Sequence, residues 1–115
     1  MIGGVSDEPL RPSIEPFGPA LRAALTARGM SYRDLESRSL VPVGNLHDHV
    51  SGKRGVPGDE LLCRIAEGLR VEPSYFREWR ERRIIEPLRE APDLALELWR
   101  RAEDGRLPGS RLVDG

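Results

Sequence analysis

The sequence predicts an all-α fold. Apolar residues recur at three- and four-residue spacing, glycine or proline separates the periodic stretches, and the periodic stretches open on helix-starting residues. At 115 residues with 38% hydrophobic content, the chain supports one small core and not a large enclosed cavity. With only two Phe, two Tyr and two Trp, that core must rest on Leu, Ile, Val and Ala.

Residues 1–16 hold Gly3, Gly4, Pro9, Pro12 and Pro16 and few apolar groups, which predicts a disordered leader. A first helix is expected over about Phe17 to Arg28, with Leu21, Ala24 and Leu25 on one face and Gly29 as its stop. Ser31 and Asp34 form an acid variant of the capping box, so a second helix starts there and runs to about Arg38. Leu40 to Gly44 supplies a turn, because Pro42 is tolerated at a helix start and breaks a continuous helix. A third helix follows to Val50 and ends at Gly52.

A fourth helix, about Gly58 to Gly68, carries Leu62, Ile65, Ala66 and, just beyond, Leu69 at helical spacing. Pro73 opens a fifth with Phe76, Trp79, Ile84, Ile85 and Leu88 as its apolar members, which Pro87 must kink or end. Pro92 opens a sixth, with Leu94, Ala95, Leu98, Trp99 and Ala102, to about Glu103. A disordered tail is expected over 105–115. There is no internal repeat.

Charged residues make up 32% of the chain and balance to a net −1 with a pI near 6.1, which excludes a polycationic tail. Residues 17–58 differ: six basic groups (Arg22, Arg28, Arg33, Arg38, Lys53, Arg54) against three acids (Asp34, Glu36, Asp48) leave +3. The remainder is therefore −4, and any attraction for phosphate is confined to one face. A single cysteine, Cys63, permits no intramolecular disulfide. With no secretory pattern at the N-terminus and no apolar run of membrane length, a cytoplasmic protein with no membrane association is expected.

The stretch from Ser31 to Arg54 reads as a helix-turn-helix, ending on Ser51-Gly52-Lys53-Arg54. Together with the Gly29-Met30-Ser31 start, Leu35, Leu46 and the segment Ile65 to Pro73, it makes Phe17 to Phe76 resemble the Cro/C1-type (XRE-like) helix-turn-helix family. The resemblance implies a five-helix domain over 17–76 whose third helix lies in the major groove of double-stranded DNA. Residues 77–104 form a C-terminal helical extension beyond it.

Carried over by position, the base-facing slots fall on Val43, Gly44 and Asp48, with Asn45 and His47 beside them. Phosphate-facing slots fall on Tyr32, Arg33, Ser51, Lys53 and Arg54. None of the three inherited base-facing slots holds an Arg, Lys, Gln or Asn reader; Val43 suits a thymine methyl and Asp48 a cytosine amino group. Four positions depart from the family's pattern. Glu36 stands where a small Ala lets helices approach, Leu40 where Gly makes the turn, and Ser39 and His49 where apolar residues pack. One arrangement accommodating them is a one-residue shift in which Leu40 takes the apolar role of position 39.

His47 and His49 point about 200° apart around a helix, so they do not share a metal ion. His49 is expected at the helix interface and His47 on the exposed face. Cys63 has no base nearby in sequence and reads as a small boundary residue, while the interleaved charges of Arg77 to Arg83 read as a solvated helix face. No enzyme chemistry, metal or cofactor is indicated. Ile84, Ile85, Leu88, Leu94, Leu98 and Trp99 exceed what a five-helix core needs, and are expected either to add a layer or to form a dimer interface.

Two functions remain open at this point. The first is a sequence-selective DNA-binding transcriptional regulator, acting as a homodimer. The second is the same fold used as an interaction module for a partner regulator, sigma factor or toxin-like protein, which the acidic Asp48 and the near-neutral charge favour.

Overall fold

The computed structural model describes residues 8–105, and among them there are six α-helices and no strand. They are α1 (Phe17–Arg28), α2 (Tyr32–Ser39), α3 (Val43–Ser51), α4 (Asp59–Leu69), α5 (Arg77–Glu90) and α6 (Pro92–Glu103), with a 3-10 turn at Pro73–Tyr75 between α4 and α5. No helix is long and apolar enough to cross a membrane among these residues. The chain forms two compact units, divided after Glu81 within α5.

In the first unit the end of α1 and the start of α2 fall where the sequence provides partners for the free backbone groups. Gly29 ends α1 in the left-handed region (φ +68°), and the Gly29 and Met30 amides donate back to the Thr26 and Leu25 carbonyls at 3.1 and 3.0 Å. Ser31 caps α2: its hydroxyl accepts the Asp34 amide at 3.0 Å, and the Asp34 carboxylate accepts the Ser31 amide at 2.9 Å. Those bonds hold the Asp34 carboxyl below its ordinary range.

The core of this unit joins Phe17, Leu21 and Leu25 of α1 to Leu35, Val41 and Leu46 around the α2–α3 turn, and to Leu62, Ile65 and Leu69 of α4. Phe76, just past the 3-10 turn, stacks on Phe17 with ring centroids 4.6 Å apart. Two glycines permit the tightest contacts. A Cβ on Gly18 would stand 2.7 Å from the carbonyl oxygens of both His49 and Val50, and one on Gly68 would stand 2.9 Å from a Leu35 methyl. The first bears most on the site, because it lets α1 lie directly against the C-terminal turn of α3.

Arg28 is fully buried, which its place among the six basic groups of 17–58 did not suggest. Its Nε donates to the Leu69 carbonyl at 2.9 Å and its Nη2 to the Arg70 carbonyl at 2.7 Å, closing the end of α4 where Arg70 adopts φ +61°. Its Nη1 donates to the Glu8 carbonyl. The cationic surface is smaller by one charge than composition indicated.

That last bond belongs to a segment read from sequence as a disordered leader with nothing to bury. Over the described residues 8–16 it runs against the helices instead. The Ser13 amide donates to the Tyr75 carbonyl at 2.9 Å, Arg80 Nη2 donates to the Ser13 carbonyl at 2.7 Å, and Leu10 packs on the core. Residues 1–7 and 106–115 lie outside the described residues.

The single fifth helix expected from Pro73 is a 3-10 turn followed by α5. The break at Phe76 lets Tyr75 and Phe76 both turn inward, with the Tyr75 hydroxyl donating to the Ala20 carbonyl at 2.8 Å. In the second unit Pro87 does not end α5, which continues to Glu90. A proline so near the C-terminus removes one backbone bond only. Ile84, Ile85, Leu94 and Trp99 are exposed, Leu88 and Leu98 half-buried.

Candidate nucleic-acid interface

α2 and α3 are joined by three residues, Leu40, Val41 and Pro42, and this turn sets the direction of α3. Val41 is buried and anchors it, while Leu40 takes φ +64° with its side chain 75% exposed. The one-residue shift anticipated for Leu40 does not occur. Ser39 keeps the interior position, its hydroxyl donating to the Leu35 carbonyl at 2.7 Å and accepting the Val41 amide at 3.2 Å. A buried hydroxyl with both roles met carries little penalty.

Glu36 and Arg64, one a departure from the expected pattern and the other unremarked in sequence, hold the same turn. The Glu36 carboxylate accepts the amide of Val43, the first residue of α3, at 3.1 Å. It thereby neutralises a free N–H and the positive end of the helix dipole. Arg64 of α4 donates from Nε and Nη2 to the Ser39 carbonyl and from Nη2 to the Leu40 carbonyl, all within 3.2 Å. The Glu36 bond reaches seven residues across the turn and the Arg64 bonds reach back from α4, both beyond the span of helix-capping patterns.

α3 is two-faced. Leu46 and His49 are buried, and Gly44, His47 and Ser51 are exposed on the opposite side. His49 sits at the interface as expected, its Nδ1 2.9 Å from the Gly55 carbonyl and its ring edge-on to Phe17 at 5.6 Å. Burial is the main cause of its lowered pKa, opposed by the Gly55 bond. Because the Gly55 carbonyl only accepts, the neutral ring carries its proton on Nδ1.

The outer face is bracketed by two side-chain clusters. On one edge Tyr32 of α2 stacks against His47, with ring centroids 4.0 Å apart and planes 31° from parallel. On the other, Arg54 returns from the loop after α3: Nη2 donates to Asn45 Oδ1 at 3.1 Å and stands 3.7 Å from Asp48 Oδ2. The Arg54 amide also donates to the Asp48 carbonyl at 3.1 Å. An exposed ion pair of this kind adds about 0–1 kcal/mol to stability at most, so its consequence is orientation.

Between these edges the surface is low. Gly44 has open space where a Cβ would project, and the Ser51 hydroxyl donates to the Asp48 carbonyl at 3.2 Å and accepts the Lys53 amide at 3.3 Å. Val43 is half-buried at the start of the helix, Arg33 is exposed on α2, and Lys53 is exposed beside Arg54. Of the ten residues expected to face bases or phosphates, side-chain contacts join Tyr32 to His47 and Arg54 to Asn45 and Asp48. Asn45 and Asp48, expected as readers, have their oxygens turned to Arg54.

Cys63 is half-buried in α4, and no group of three or more His, Cys, Asp or Glu side chains is arranged to hold a metal ion among the described residues. Compared with protein-family models, with curated proteins and with solved structures, the chain finds no match.

Proposed function

We propose that this chain is a sequence-selective DNA-binding regulator of transcription that inserts α3 into the major groove, in the manner of the Cro/C1-type proteins it resembles. One observation carries the reading: the outer face of α3 is uncovered, while its inner face is fastened by Leu46, His49 and the Gly18 contact. A helix held rigidly from behind and bare in front is what groove insertion needs. Arg33 and Lys53 flank that face as phosphate contacts.

One such unit offers few phosphate contacts and binds weakly alone. We therefore assign Ile84, Ile85, Leu94 and Trp99, large apolar groups all more than two-fifths exposed, to a homodimer interface. Two linked copies gain through effective concentration on paired half-sites. Light scattering of the full chain tests this: a dimer whose mass falls with Trp99→Ala supports it, and a monomeric wild type refutes it.

The DNA reading is tested by titrating the full chain against mixed genomic duplex at two salt concentrations. Binding should weaken with salt, and Lys53→Ala should lower the slope of log affinity against log salt by about 1. No binding at low salt would reject the reading and favour the interaction module, for which the exposed apolar groups of the second unit are the supporting observation.

A further inference from the structure

The outer face of α3 lacks the residue type that most often reads bases in the major groove, yet a guanidinium lies across one edge of it. Arg54 comes from beyond the helix and turns back over it, tied by its own amide to the Asp48 carbonyl and by Nη2 to Asn45 Oδ1, with the Asp48 carboxylate at 3.7 Å. Asn45 and Asp48 stand three residues apart, hence on one side of the helix, and together they form a cradle with one amide oxygen and one carboxylate. A lone exposed arginine samples many rotamers; this one is tethered at both its backbone and its tip.

We propose that Arg54 is a base reader, donating to the N7 and O6 acceptors of a guanine, with Asn45 and Asp48 as the positioning residues that hold its fork over the groove. The inference rests on the DNA-binding reading above. It changes two roles: Arg54 moves from phosphate contact to base contact, and Asp48 moves from reading cytosine to orienting Arg54. Asn45 takes one of the two hydrogens on Nη2, so the other remains to donate together with the Nε or Nη1 hydrogen on the same edge of the guanidinium, and guanine is the base whose major-groove edge offers two adjacent acceptors to such a fork. Asp48 is also shielded from phosphate by its pairing, which removes the repulsion that an acid on this face would otherwise bring. The bare Gly44 and small Ser51 beside it let the DNA approach closely enough for Arg54 to reach a base edge.

Selection from a library of duplexes with a randomised centre, read by sequencing the bound fraction, separates the possibilities. The wild type should enrich guanine at one position per half-site. Arg54→Lys keeps the charge and loses the fork, so overall affinity should stay within about threefold while that preference falls about tenfold. Asp48→Asn should leave the preferred base unchanged and weaken the preference by a few fold, with the urea midpoint unaltered, a combination that a merely structural role would not produce. Lys53→Ala should weaken binding to all sequences alike. If the wild type selects a motif that Arg54→Lys and Arg54→Ala both retain, or binds duplex with no base preference, the reader role is wrong while DNA binding stands. If the wild type binds no duplex at all, the functional reading fails and this role fails with it.

Discussion

The Glu36 carboxylate accepts the Val43 amide at 3.1 Å, so a side chain of α2 caps the first residue of α3 across the turn. This one bond links the two helices whose relative setting defines the candidate interface. It also occupies the N-terminal amide of α3, where a phosphate would otherwise be attracted.

Glu36→Ala should therefore lower stability by about 1 kcal/mol, the range for loss of a charge-assisted bond at a helix N-terminus that remains open to water. Glu36→Gln keeps an accepting oxygen and should lose about half as much. Urea denaturation of both variants checks the order; equal losses would mean that the charge contributes nothing.

Two glycines in this unit should respond with opposite signs. Gly18→Ala brings a methyl to 2.7 Å from two backbone oxygens of α3, and backbone cannot step aside as a side chain can. It should cost about 2 kcal/mol even after the gain in helix propensity. Gly44→Ala meets nothing within 4 Å and lies inside a helix, so it should stabilise by about 0.5–1 kcal/mol. The two urea midpoints, measured against wild type, decide it.

What could be read in advance follows from the range of the forces involved. The ends of α1 and α6 agree with expectation to the residue, and Ser31, Pro42 and Gly52 flank their helices as expected, because caps and breakers act within four residues. The contacts that shape the site span further. Arg28 to Leu69, Arg64 to Ser39 and Gly18 to His49 join residues 25 to 41 positions apart, and no local pattern announces them. Ser39 misled for another reason: a hydroxyl that bonds its own helix turn can take an interior place that periodicity reserves for an apolar residue. Arg54 was placed with the phosphates because its position after the helix was legible, whereas its return over Asn45 and Asp48 depends on the conformation of the loop.

Leu40 is held in a conformation that suits glycine. An L-residue at φ +64° bears about 1–2 kcal/mol of steric strain, and this side chain is 75% exposed, so burial offsets little of it. Leu40→Gly should relieve that strain at a cost of about 0.4–1 kcal/mol in unfolded-chain entropy. The relief wins, and the melting temperature should rise by a few degrees. A fall would show that Leu40 makes a contact whose loss outweighs the strain.

His49 makes stability depend on pH near neutrality. The neutral ring donates from Nδ1 to Gly55, while Nε2 is buried without a partner, so a second proton would be placed where no acceptor receives it. Burial is the leading cause of its pKa falling below the ordinary 6.5, and Arg54 acts in the same direction; the Gly55 bond and Asp48 act against it. Since the unfolded chain takes up this proton first, the contribution is complete above about pH 6.5 and is lost as pH falls through that value toward the folded-state pKa. The urea midpoint should therefore drop between about pH 7.5 and pH 5, before the Asp34 carboxylate, whose ordinary value is 3.8, begins to matter. His49→Gln removes the titrating ring and should flatten the profile across that interval, whatever it does to the midpoint itself. A variant retaining the wild-type slope would place the titrating group elsewhere.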